Sequence, residues 1–411
     1  MAPDNPSEIP KHPGILAQLK SGGAQARAIK FVLLIGVVSF FADFTYEGSR
    51  SITGPFLAVL GASGTAVGII AGLGELLGYG LRVVSGRFSD LTGKFWPTAL
   101  FGYAIQMLAV PLLALAGSWP AAALLIIAER VGKATRNPPR DVMLSHAARE
   151  MGYGTAFGIH EALDQSGALF GPLLVAVVLL LRHNFRMGFA ILLIPALVTY
   201  SMLLFARRSY PRPEEMEATP PNLETRGLPR IFWIYLAGAA LVAAGFADFS
   251  LMAYHFHKAE AVPSDWIPIY YSVAMAVSGA GSYFFGRFYD RIGFAILIPL
   301  TLVAMFFAPL AFLGGRWVAL AGSALWGLGM GVHESIIPAV VATMVPVQRR
   351  ASAYGLFTAG YGISWFLGST VIGILYDVSL PALITFSIVA ELAAIPLFVL
   401  VNRHLHEVKY G

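Results

Sequence analysis

Long apolar runs alternate with short polar breaks along nearly the whole chain. A run of roughly 20 apolar residues is enough to cross a bilayer as a helix. Twelve runs qualify: 31–60, 65–89, 97–117, 120–143, 153–181 and 187–206, then 231–257, 266–288, 293–313, 317–345, 352–376 and 380–401. The first is too long for one straight crossing, and Gly54–Pro55 is placed to bend it near its end. Only one break is long. Residues 207–230 are rich in Pro, Glu and Arg and read as a linker. The pattern predicts an all-α membrane protein with twelve transmembrane helices in two six-helix bundles. Its parts are a tail at 1–30, a first bundle at 31–206, the linker at 207–230, a second bundle at 231–401 and a tail at 402–411.

Composition sharpens this. The chain has 411 residues, of which 57% are hydrophobic and 12% charged. Soluble domains carry about 25% charged residues, so a large soluble core is excluded. There is no cysteine, which removes disulfides, thiolate metal sites and cysteine nucleophiles. The net charge of +5 is a matter of topology and not of nucleic-acid binding. Lys and Arg gather in the breaks on the N-terminal side of the bundles, whereas the opposite breaks hold only Arg182, Arg186, Lys258 and Arg316. Basic residues mark the cytoplasmic side, so both termini are expected in the cytoplasm. No apolar core with a small-residue cleavage site precedes the first run, and no cleaved signal peptide is expected.

The chain also repeats itself. Phe41-Ala-Asp-Phe-Thr45 returns as Phe246-Ala-Asp-Phe-Ser250. Asp43, Glu47 and Arg50 are spaced i, i+4, i+7, one face of a helix. Asp248, Met252 and His255 fall on the same offsets. Ser85-Gly-Arg-Phe-Ser-Asp-Leu-Thr-Gly93 is echoed by Phe285-Gly-Arg-Phe-Tyr-Asp-Arg-Ile-Gly293. Tyr153-Gly154 and Gly167 match Tyr354-Gly355 and Gly368. Parallel repeats of this kind build transporters around a central site, with Asp43 and Asp248 in corresponding positions.

A charge in hydrocarbon costs on the order of 2.5–3.5 kcal/mol on insertion scales. Ionisable residues inside the runs should therefore face a wet cavity or a partner. The first run gives Asp43, Glu47 and Arg50, and the second Glu75, Tyr79 and Arg82. The fourth gives Glu129, Lys133, Arg136 and Arg140 on one stripe, with Arg130 beside it. The fifth gives His160, Glu161 and Asp164. The second half adds Asp248, His255, His333, Glu334 and, in the twelfth run, Glu391. Blander readings stand beside these. Glu75 and Arg82 can brace helices as a buried pair. Arg136 and Arg140 sit near the inner end, where a gate or lipid headgroups would hold them. Asp248, Met252 and His255 could suit soft copper, but three residues on one helix make a weak set. No metal and no cofactor is expected.

At Gly86-Arg-Phe-Ser-Asp90-Leu-Thr-Gly93-Lys94 the chain resembles the major facilitator superfamily, whose cytoplasmic loop motif has this pattern. The second-half copy keeps Gly286, Asp290, Arg291 and Gly293. Arg130-Val-Gly-Lys133-Ala-Thr-Arg136-Asn-Pro-Pro-Arg140-Asp141 and Phe157-Gly-Ile-His160-Glu-Ala-Leu-Asp164 resemble a little-characterised group of prokaryotic permeases of this type, with Glu161 where that group has a base. Gly158, Gly167, Gly171 and Pro172 are similar to the superfamily's antiporter motif, although Val175 and Ala176 replace its trailing glycines.

The resemblance implies a monomeric secondary transporter of the prokaryotic plasma (inner) membrane that works by alternating access. It is expected to be a proton-coupled exporter of a small polar, anionic or zwitterionic solute. Its partners are then the solute, protons and the bilayer. Glu47, Glu161 and Asp164 are the expected coupling acids, with Asp43 and His160 next. Arg50, Arg130, Lys133, Asp248, His333 and Glu334 are the expected substrate contacts. Gly86, Asp90, Gly93, Gly286, Asp290, Arg136 and Arg140 are expected at the gate. Three rivals use the same sequence: a proton symporter for uptake, a non-transporting receptor and a lipid-modifying membrane enzyme. No nucleotide-binding loop, zinc-type histidine pair or serine–histidine–aspartate set argues for catalysis, and both tails are short for a receptor.

Overall fold

The computed structural model describes residues 24–151, 153–211, 227–345 and 350–410. Most of the expected linker and N-terminal tail therefore lies outside the described residues, as do the side chains of Glu334 and Asp290. The described chain folds as α1 (Ala24–Val59), α2 (Gly64–Thr92), α3 (Phe95–Leu112), α4 (Trp119–Met151) and α5 (Tyr153–Arg182), then α6 in two segments (Phe185–Ile191 and Leu193–Ser209). The second half follows with α7 in two segments (Arg230–Gly245 and Phe249–Lys258), α8 (Ile267–Ile292), α9 in two segments (Leu297–Ala304 and Phe307–Leu313), α10 (Arg316–Met344), α11 (Arg350–Val378) and α12 (Leu380–Tyr410). Nine of these stretches are long and apolar enough to cross a membrane. The other three, α4, α8 and α10, are 33, 26 and 29 residues long and pack into the same bundle. Two expected details differ. α1 runs unbroken through Pro55 to Val59, and α12 continues as helix through most of the expected tail.

The two halves repeat in their packing as in their sequence. α1 lies along α5 as α7 lies along α11, and α2 lies along α4 as α8 lies along α10. The matched glycines explain the first correspondence. Gly167 of α5 sits against the α1 backbone at Phe40 and Phe44, and Gly368 of α11 sits against the α7 backbone at Ala244. At either position a Cβ would run into main chain, so only glycine lets the two helices approach this closely. The halves meet through α2 with α11, α5 with α8, and α1 with α7.

These junctions define two ends. Arg27, Trp96 and Tyr210 share one end, joined by hydrogen bonds from Tyr210 to Arg27 and from Trp96 to Tyr210. At the far end the Asp377 carboxylate of α11 accepts from the backbone N–H groups of Gly64 and Thr65 at 3.0 and 2.8 Å, capping the start of α2. Tyr254 donates to the Ala62 carbonyl nearby, at 2.9 Å. From there, contacts between the halves reach mid-depth at Tyr79 against Tyr361, whose ring centroids are 5.7 Å apart. Beyond that depth, toward the end where α1 begins, α2 and α8 present exposed Leu91, Phe88, Tyr283 and Phe284.

Candidate functional site

α7 does not cross as one helix. It ends at Gly245, runs extended through Phe246, and restarts at Phe249 with Asp248 as its cap, accepting from the Ser250 N–H at 2.8 Å. The expected single face carrying Asp248, Met252 and His255 is therefore broken. Asp248 leaves the helix, Met252 is buried in the apolar core, and His255 pairs with the Tyr376 hydroxyl at 3.1 Å. Among the described residues no group of three His, Asp or Glu could hold a metal ion. A broken helix at mid-depth leaves polar groups pointing into the bundle, and here Asp248 points at the first half.

Its partner is Arg50. The guanidinium Nη2 donates to Asp248 Oδ2 at 2.7 Å and to Glu75 Oε1 at 3.2 Å, with Arg50 and Asp248 both buried. Arg130 reaches the same Glu75 oxygen at 3.1 Å and also donates to the Tyr46 hydroxyl. Lys133 lies 3.7 Å from the centre of the Tyr46 ring and 3.8 Å from Glu47 Oε1. Glu47 accepts a 2.5 Å hydrogen bond from Tyr271 of α8, a second link between the halves. Tyr46, Glu47, Arg50, Glu75, Arg130 and Lys133 line a cleft of about 90 Å³ with Tyr79, Arg82 and Trp365. Arg82 lies over the Tyr79 ring at 5.6 Å. Because Glu75 is taken by Arg50 and Arg130, the expected Glu75–Arg82 brace does not form. Among the described residues Arg82 has no acid within ion-pair distance.

Below the cleft, α1 and α4 run antiparallel and are joined in register. Lys133 meets Glu47, Arg136 meets Asp43 at 3.0 Å, and Arg140 meets Ser39 at 3.4 Å. Steps of four along α1 and of three or four along α4 keep these side chains on facing stripes. Arg136 also donates to Gln106 and Tyr103 of α3, at 2.5 and 3.0 Å, and is fully buried. It is a brace inside the first half, not a headgroup contact. Arg140 is buried too, its Nε and Nη2 held by Asp141 at 2.9 and 2.8 Å.

α5 adds the remaining expected acids. Asp164 lies within hydrogen-bonding reach of Asp43, and its Oδ1 is buried without a partner. His160 Nε2 is 2.8 Å from the Ser39 hydroxyl. Glu161 is exposed and accepts from Gln165 at 2.9 Å. His333 lies apart from the cleft, buried against the rings of Phe246, Tyr361 and Trp365.

The loop motif shows its glycines at work in the turns. Gly93 (φ +65°) and Gly293 (φ +72°) terminate α2 and α8 in conformations that favour glycine. Pro138 lies at ordinary contact distance from a Cβ position at Gly86, and Gly286 faces open space. Asp90 makes no ion pair or hydrogen bond among the described residues.

Two members of the central group had no sequence signal of their own. Tyr46 shares a face with Arg50 at i+4, a hint in hindsight of its role between two arginines. Tyr271 is one of four tyrosines in α8, and only the tertiary fold brings it to Glu47.

Comparison with known proteins follows the same lines. The sequence profile described as Major Facilitator Superfamily matches residues 35–369 and 271–409. An uncharacterised protein of Mycobacterium tuberculosis strain H37Rv is 40% identical over 375 residues, covering 90% of this chain and 92% of its own. An uncharacterised MFS-type transporter of Methanocaldococcus jannaschii is 26% identical over 363 residues, covering 85% and 89%. Among solved structures, the nucleoside transporter NupG superposes with a TM-score of 0.72 at 15% identity, over 93% of this chain and 100% of that one. A POT family transporter in complex with a thioalcohol-conjugated peptide superposes with a TM-score of 0.75 at 12% identity, over 92% and 96%.

Proposed function

The chain belongs to the Major Facilitator Superfamily, and from that premise we propose that it is a proton-coupled exporter of a small polar, anionic or zwitterionic solute. It is an integral membrane transporter and not an enzyme. The observation that carries the finer reading is the cleft between the halves. Arg82, with no acid in ion-pair distance among the described residues, and Lys133, 3.8 Å from its acid, offer positive charge to an anionic group. The bonds beside them, Arg50 to Asp248 and Glu47 to Tyr271, join the halves. A solute that competes for these charges loosens the junction, so binding and alternating access draw on the same groups. Nucleoside and peptide transporters share the fold, which agrees with a polar or zwitterionic cargo.

The proton is assigned to the carboxyls of the first half. Asp43 and Asp164 in mutual reach can hold one proton between them, because two like charges at such a distance repel strongly. Arg136 fixes Asp43 on its other side. Glu47 and Glu161 are the competing carriers, and His160 is the group next to them through Ser39. The distribution of Lys and Arg supports cytoplasmic termini in a prokaryotic plasma membrane. In that orientation the exposed Phe88 and Leu91 of α2 and Tyr283 and Phe284 of α8 lie toward the cytoplasmic side, where an exporter takes up its load. Asp90, unpaired among the described residues, then belongs to a latch made in the opposite state, with Asp290 as its counterpart and the glycine turns at Gly93 and Gly293 holding the loops. The division into two bundles joined by a linker at 207–230 is part of the same proposal.

The test is transport in proteoliposomes under imposed pH gradients of either sign, screened against amino acids, nucleosides and short peptides. The wild type should move one class against its gradient when protons run the other way; co-directional movement would make it a symporter. Asp164→Asn and Asp43→Asn should keep substrate exchange and lose the response to the gradient, with Glu47→Gln and Glu161→Gln run alongside. Transport indifferent to both pH and sodium would identify a uniporter and end the coupling proposal.

A further inference from the structure

The second half holds a carboxyl that the central cleft does not use. Glu391 on α12 is 1% exposed, and both of its carboxyl oxygens are buried without a hydrogen-bond partner. It faces a small void enclosed by α7, α9, α10 and α12, with room for about one water molecule. His333 on α10 lines the same void, and its Nδ1 is also buried without a partner. α7 presents Val242 to the void, and α9 presents Leu300, Thr301 and Ala304. Among the described lining residues, Glu391 and His333 are thus the groups that titrate, and no Lys or Arg faces them.

A bare carboxylate in such a place would be an unpaired buried charge, which is strongly disfavoured. Something positive must accompany it. Hard metal cations require a shell of oxygen ligands, whereas this void offers one carboxyl, one threonine hydroxyl, an imidazole nitrogen and apolar walls. A proton needs much less. The protonated carboxyl donates one hydrogen bond, and a neutral imidazole nitrogen can accept it across one water. We propose that Glu391 and His333 form a proton-binding site in the core of the second half, separate from the charged cleft.

The site is placed to act on the α7 break. The Glu391 side chain packs against Gly245, the last residue before the break, and Ser387 one turn earlier donates to the Gly245 carbonyl at 2.7 Å. The His333 ring lies 4.5 Å from that of Phe246, within the break. Two residues on, Asp248 holds Arg50 of the other half. Loss of the proton would put a charge beside the hinge that positions this bond. The binding site itself stands whichever first-half acid carries the coupling proton; only its effect on transport rests on the transporter reading.

Infrared difference spectroscopy on the full-length protein in lipid bilayers tests it directly. At neutral pH the wild type should show a carboxylic-acid C=O band that is lost in Glu391→Gln and kept in Asp164→Asn and Asp43→Asn. His333→Gln should shift that band, which keeps the proposal testable if Glu391→Gln fails to fold. Identical spectra for wild type and Glu391→Gln would mean an ionised Glu391 and overturn the site. A band that disappears on adding sodium at fixed pH would overturn it as well, in favour of a metal cation. The band is read without any transport, so it is decided even if the protein proves to be a uniporter.

Discussion

Helices α1 and α4 in the first half correspond to α7 and α10 in the second, yet the two pairs are fastened by different chemistry. Between α1 and α4 the contacts are charged: Glu47 with Lys133, Asp43 with Arg136, and Ser39 with Arg140. Between α7 and α10 they are rings. Trp326 lies 5.8 Å from Phe246 and 5.3 Å from Phe249, and His333 also meets Phe246. A buried charge tolerates only its own partner, since removing one member strands the other. Ring contacts accept a range of offsets at little cost. The pair with rings is also the pair whose helix is broken. The first half is thus built to hold a fixed register, while the second can change shape around residues 246–248 without stranding a charge between α7 and α10 among the described residues.

The largest effect should come from breaking the fixed register. Arg136→Met leaves Asp43 without its cation and frees polar groups on Gln106 and Tyr103. The loss of a buried partner costs about 3–5 kcal/mol. Thermal unfolding in detergent should show a large fall in stability, partly restored when Asp43→Asn is added. If the double variant is no better than the single, the rung is not the source of the loss.

A matched change in the second half should cost less. Trp326→Phe keeps a ring and gives up the 2.8 Å bond from Nε1 to the Ala247 carbonyl. An unmade buried bond costs roughly 1–3 kcal/mol, and the expected penalty lies at the lower part of that range because the break lets Ala247 turn to another donor. A penalty equal to that of Arg136→Met would erase the contrast between the halves.

The sequence made the frame legible because hydropathy and repetition survive projection onto one dimension. The helices lie close to where apolar runs predict them, and Gly167 and Gly368 mark their own close crossings. The face shared by Asp43, Glu47 and Arg50 was equally visible. Their partners were not, because a partner is a property of neighbouring helices. Glu75 turns to Arg50 and Arg130 instead of Arg82, and Arg136 points inward to Tyr103 and Gln106. The α7 break was hidden for another reason. Phe246-Ala-Asp-Phe-Ser repeats a segment that is continuous helix at Phe41, so pattern alone predicts helix at both. In the second copy Asp248 caps a new helix and reaches across to Arg50, which tertiary structure decides.

The smallest effect concerns the far end, where a cap joins the halves beside the α2–α11 packing. The Asp377 carboxylate accepts from Gly64 N–H, Thr65 N–H and the Thr65 hydroxyl, the last at 2.7 Å. It belongs to one half and caps a helix of the other, so it stabilises only conformations in which this end is shut. Losing such a cap costs about 1 kcal/mol, and one kcal/mol changes a population ratio by roughly 5-fold. The chain has no cysteine, so Val59→Cys and Val378→Cys can carry spin labels across the junction without background. Both positions are exposed. Asp377→Ala should raise the share of long distances by about that factor, and Asp377→Asn, which keeps one acceptor, by less. An unchanged distance distribution in Asp377→Ala would show that the cap closes nothing, and the far end would then be held by the α2–α11 packing and the Tyr254–Ala62 bond.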